Sequence, residues 1–218
     1  MFSNIRIGSR LALGFALVLL LSILSTTYAL VAARNATDAS SRMTDVPLIK
    51  ERLVSDWYLY TNSGITRTSL IARSSDETLS TTFAKAIADS VTNASAAINK
   101  IEPLLETEEE KKLFKSIVDR RATYQAAKDE VMNVKKAGDA EGSVRIFNDK
   151  FMPSADLYAG QLKALLALQR KTIDDTSNAL EVASARSFKL LVALGVLVVL
   201  LGATAAYLIT RSITRPLR

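Results

Sequence analysis

The 218-residue sequence predicts an all-α protein, an antiparallel up-down-up-down four-helix bundle set between two transmembrane helices. Three observations carry that expectation. Residues 11–33 and 190–210 form two runs without a single charge. Between them, apolar residues recur at the three-to-four spacing of helices that bury one face. The same stretch holds only three prolines, Pro47, Pro103 and Pro153, so long helices meet few breakers.

The elements follow in order. Residues 1–10 are a short cytoplasmic start and 11–33 the first span. About 20 apolar residues cross a bilayer core, and an uncharged run of 23 exceeds the roughly 7–15 residues of a cleaved signal's apolar region. Residues 34–189 form the external domain. Its helices are predicted at 34–73, 75–104, 108–137 and 152–189, with a short turn or helix near 140–150, and short links make neighbours antiparallel. Their stripes run through Leu53, Trp57 and Gly64; Ile87, Ala94 and Ile98; Ile117, Tyr124 and Val131; and Phe151, Tyr158, Leu162, Leu165 and Gln169. Pro47 is expected to bend or interrupt the first. Ser74 with Glu77, and Thr107 with Glu110, have capping-box spacing. Gly138 after Lys135-Lys136 reads as a helix stop, and Pro153 suits a first turn. Residues 190–210 are the second span, in which Gly202 and Ala206 allow close helix approach.

Charge orients the chain and excludes whole classes of function. All 22 acidic residues lie within 34–189 with 23 of the 28 Lys and Arg, so that stretch carries 23 − 22 = +1. The remaining cations, Arg6, Arg10, Arg211, Arg215 and Arg218, flank the two runs. The positive-inside rule therefore puts both termini in the cytoplasm and residues 34–189 outside, in a bacterium the periplasm of the inner membrane. A nucleic-acid partner is not expected from a domain so nearly neutral. With no His and no Cys, imidazole bases, thiol nucleophiles, disulfides and His- or Cys-ligated metals are gone. No catalytic residue, metal or cofactor is predicted.

The opening Ile5-Arg6-Ile7-Gly8-Ser9-Arg10-Leu11 before a long first span, and the ending Arg211-Ser212-Ile213-Thr214-Arg215-Pro216-Leu217, resemble those of bacterial methyl-accepting chemotaxis proteins with a four-helix-bundle ligand-binding domain. The ending is similar to the start of a HAMP linker, which gives 211–218 that assignment and implies that the sequence stops inside it. The resemblance implies a homodimeric receptor for small attractants or repellents, acting on a histidine kinase through a coupling protein and further cytoplasmic segments. In the family's amino-acid receptors, arginines on the first bundle helix hold ligand carboxylates. Aligning Asp56-Trp57-Tyr58-Leu59 with that stretch puts Arg67 on one such position and Asn62 and Ile71 on two others, so an α-amino acid is the lesser expectation.

Helical rise gives a separate estimate of where a ligand would sit. At about 1.5 Å per residue, Arg67 stands roughly 50 Å above the membrane, Tyr158 roughly 46 Å, Tyr124 about 44 Å, and Ser90 and Arg121 about 39 Å. Four helices thus bring polar and cationic groups to one level. A guanidinium in an apolar stripe needs a partner, and a bound carboxylate supplies one through paired hydrogen bonds, with tyrosine hydroxyls beside it. Arg67, Ser90, Arg121, Tyr124 and Tyr158 are the candidate ligand-binding residues, and a small organic acid, a di- or tricarboxylate, the expected ligand. The bland alternatives are that Arg120 and Arg121 form a solvated pair and that both tyrosines are core residues. Glu108-Glu109-Glu110 reads as a solvated helix start. An unbroken helix from Pro153 to Arg211 would carry a displacement across the membrane. The sensory half of a histidine kinase or nucleotide cyclase, a receptor read through a periplasmic binding protein, and a ligand-free structural bundle are the rival readings.

Overall fold

The computed structural model describes residues 7–214, and their regular elements are all helical. Six α-helices follow one another: α1 (Ile7–Asp45), α2 (Pro47–Arg73), α3 (Thr78–Ile101), α4 (Glu108–Lys136), α5 (Ala140–Ile146) and α6 (Met152–Thr214). A 3-10 turn, Glu102–Leu104, closes α3, and a π-helical turn, Phe147–Phe151, joins α5 to α6. The chain divides into two compact units, Met43–Asp175 and Met1–Arg42 with Thr176–Arg218. The cations Arg6, Arg215 and Arg218, and the Pro216-Leu217 pair behind the HAMP expectation, lie outside the described residues.

Met43–Asp175 is the four-helix bundle, formed by α2, α3, α4 and the first part of α6. The chain enters it at a break. The helix expected over 34–73 is two helices, because Pro47 has no N–H to continue the ladder and sits instead at the first position of α2. The second helix starts at Thr78 rather than 75. Ser74 is not its cap but the extended residue that ends α2. The N-cap is Glu77, which makes no side-chain cap bond, and one residue earlier the Asp76 carboxylate accepts from the Thr78 hydroxyl at 2.7 Å and the Thr78 N–H at 2.9 Å, bonds that lower its pKa. Thr107 and Glu110 do form a reciprocal capping box, at 3.1 and 3.0 Å. At the far end of α4, Gly138 has φ 85°, a left-handed conformation that L side chains resist. It lets the Gly138 and Asp139 N–H groups reach back to the Lys135 and Val134 carbonyls.

The predicted stripes meet in one core. Val54, Trp57, Ile101, Ile117, Val131, Phe151, Leu162 and Leu165 are essentially fully buried. Each such large side chain contributes about 1.5–3 kcal/mol relative to exposure. Down its length runs a chain of rings, Phe147, Phe151, Tyr124, Tyr158, Trp57 and Phe114, with successive centroids 5.2–6.2 Å apart.

The other unit holds the apolar stretches. Windows of α1 and α6 reach mean hydropathies of 2.2 and 2.4, long and apolar enough to cross a membrane. Phe15, Ile23, Leu30, Val192, Val199 and Leu200 are all at least half exposed there, which suits lipid rather than water. A Cβ on Gly14 would stand 3.6 Å from the Ala205 side chain, so Gly14 marks a close approach of α1 and α6. A Cβ on Gly202 would meet nothing within 4 Å.

Candidate functional site

Four of the five predicted residues, Ser90, Arg121, Tyr124 and Tyr158, line one cleft inside the bundle, and the fifth, Arg67, is bonded to it. Helix periodicity explains the convergence. On α4, positions 121, 124, 125 and 128 fall on one face, and Arg121, Tyr124, Gln125 and Lys128 all line the cleft. From α2 come Tyr60, Thr61 and Gly64, and from α3 Ser90 with Val91 and Ala94. Gly64 is there for space: a Cβ at that position would stand 3.1 Å from the Tyr124 hydroxyl.

The arginines hold α3. Arg121 donates to the Ser95 hydroxyl at 2.6 Å and to the Val91 carbonyl at 3.4 Å, and Arg67 donates to the Ser90 hydroxyl at 3.2 Å. Among the described residues, neither guanidinium has a carboxylate within 4 Å. The cleft lining contains two cations, Arg121 and Lys128, and no acid. Tyr158 accepts from the Trp57 indole N–H at 2.6 Å and also meets Thr61 and Arg121. Burial raises the pKa of both Tyr124 and Tyr158, so their hydroxyls stay protonated and available as donors. The cleft encloses about 20 Å³, enough for about one water. A larger guest requires α3 to give way, and the bonds that tie it there are made by the two arginines.

Sequence reasoning missed several of these groups. Lys128 and Gln125 were detectable as the seventh and fourth residues beyond Arg121. Thr61 was detectable four residues after Trp57. A second buried polar cluster was missed outright, and it corrects the reading of Glu108-Glu109-Glu110. Glu110 is only 4% exposed. Its carboxylate accepts from Lys50 Nζ at 2.7 Å, from Gln169 Nε2 at 2.8 Å, and from the Glu106 and Thr107 N–H groups at 2.9 and 3.0 Å. Lys50 and Gln169 are themselves almost wholly buried. Only Glu108 and Glu109 behave as the exposed start expected of the run.

The polar groups that line the cleft are the guanidinium of Arg121, the amine of Lys128, the amide of Gln125 and the hydroxyls of Tyr60, Thr61, Ser90, Tyr124 and Tyr158. Among the described residues no cluster of His, Cys, Asp and Glu forms a metal site. The chain matches the four helix bundle sensory module for signal transduction over residues 4–181. Comparison with curated proteins gives no match. With its helical bundle and two apolar helices, this chain belongs to the family of four-helix-bundle sensory modules of methyl-accepting chemotaxis receptors.

Proposed function

We propose that this sensory module binds a small organic anion, a di- or tricarboxylate, in the cleft of residues 43–175, and that the bundle faces the periplasm while α1 and α6 cross the inner membrane. One observation carries the reading. Arg121, partly buried in the bundle, is satisfied only by neutral acceptors. A carboxylate offers that fork two charge-assisted bonds, roughly twice as strong as the neutral ones it replaces. Arg67 ties α3 to α2 and Arg121 ties it to α4, so an anion that recruits Arg121 releases the tie to α4 and loosens the α3 wall. Binding then favours the open arrangement by its differential affinity for the two.

The signal leaves through α6. Tyr158 lines the cleft and lies on α6, which is helical from Met152 to Thr214. In this reading the receptor works as a homodimer, and a histidine kinase with its coupling protein answers through cytoplasmic segments beyond these residues.

Thermal unfolding of the full chain in lipid nanodiscs, titrated with a panel of carboxylates and amino acids, tests the reading. Saturation at about 100 times Kd adds about 2.7 kcal/mol, a shift of several degrees. Arg121→Ala is expected to abolish the shift for the active carboxylate. A panel with no shift would leave recognition to a periplasmic binding protein, with Arg121 as a structural tie.

A further inference from the structure

We propose that the cleft takes a linear dicarboxylate whose two ends are read separately, one by Arg121 and the other by Lys128. This rests on the carboxylate reading above and narrows it.

Both cations line the cleft, and they are seven residues apart on the same face of α4. Two turns of helix separate their Cα atoms by about 10.5 Å. A four-carbon dicarboxylate, extended and with one charge-assisted hydrogen bond at each end, spans about 10 Å. Side chains based that far apart on one face can bring their charges to the two ends of such a molecule lying along α4.

Neither cation has a partner that would oppose the exchange. Arg121 bonds to a hydroxyl and a carbonyl. The Lys128 side chain is 12% exposed, and its ion pair is with Asp129 at 3.2 Å, whose own side chain is 65% exposed. An ion pair with so solvated a partner is worth little, so a ligand carboxylate replaces it at small cost. Gln125 lies between the two cations on the same face, where its amide can serve a hydroxyl or keto group at the centre of the ligand. A third carboxylate would have to find Arg67, which stands outside the cleft lining and is engaged with Ser90. That geometry favours two charges over three.

Isothermal titration of the full chain in zwitterionic nanodiscs, with succinate and butyrate as probes, tests this. The two have the same four carbons and differ by one charge. Succinate is expected to bind at least about tenfold more tightly, the worth of one additional charged contact. Lys128→Met should remove that advantage, Lys128→Arg should keep it, and Arg121→Met should weaken both probes. The succinate-to-butyrate ratio of the unmodified chain makes the same test with no substitution. Equal affinities, an unaffected Lys128→Met variant, or binding of citrate without succinate would overturn two-ended recognition and leave the carboxylate reading standing. Absence of heat with every mono-, di- and tricarboxylate would overturn both.

Discussion

Glu110→Ala is expected to destabilise the bundle by about 3–5 kcal/mol, lowering Tm by roughly 10 °C or more. The substitution leaves Lys50, 2% exposed, as a buried cation with only Glu106 at 3.7 Å, whose own side chain is 68% exposed. It also strips the Gln169 amide of its acceptor and opens the Thr107 capping box. Replacing the ion pair as a unit, with Lys50→Met and Glu110→Leu together, should recover much of the loss, because neither charge is then stranded. The pH dependence has a defined sign. Burial alone pushes the Glu110 pKa up, but the bonds from Lys50, Thr107, Gln169 and Glu106 outweigh it and bring the value from 4.5 to about 2. A carboxyl depressed in the folded state contributes its stability above the unfolded value, and loses it as pH falls through the folded one. The contribution should therefore be complete above about pH 5 and decline between pH 4.5 and pH 2. Chemical unfolding followed by far-UV circular dichroism across that range is the check. A variant whose stability falls in parallel with the unmodified chain would show that other carboxylates govern the acid limb.

The second large effect belongs to Trp57. Its side chain is fully buried, meets Phe114 and Tyr158 edge-on, and donates the 2.6 Å bond to the Tyr158 hydroxyl. Trp57→Ala removes the largest volume in the core and is expected to cost about 3–5 kcal/mol. Trp57→Phe keeps most of the apolar surface but leaves the Tyr158 hydroxyl without that donor, for about 1–3 kcal/mol. The order of the two variants in urea unfolding checks the argument. An alanine variant no less stable than the phenylalanine one would mean that the site collapses around the void.

How much of this was legible depended on whether a residue's environment is set by its own helix. Trp57, Ile117 and Leu162 announced their burial through periodicity, because the core face of a long helix is a local property. A common level for Arg67, Ser90, Arg121, Tyr124 and Tyr158 was expected from axial rise alone, and the last four line one cleft while Arg67 bonds to its Ser90. Glu110 was opaque for the opposite reason. It lies in a run of three glutamates, and only a lysine 60 residues before it and a glutamine 59 residues after it bring it inside. Ser74 misled because it has the right residue type at the right spacing, while Asp76, two positions on, is the acceptor that meets the Thr78 N–H. Lys128 was overlooked because a lone lysine on a helix is ordinarily solvated, and nothing in its neighbours shows that Gln125 and Arg121 share its cleft.

The bond between Trp57 and Tyr158 has an optical consequence. Trp57 is the single tryptophan in the chain, so all indole emission comes from a ring whose N–H rests on a hydroxyl at the cleft wall. Indole fluorescence responds to the polarity and hydrogen bonding around that nitrogen. A guest that draws the Tyr158 hydroxyl toward itself changes both, and the receptor then reports its own occupancy in wavelength and lifetime with no label attached.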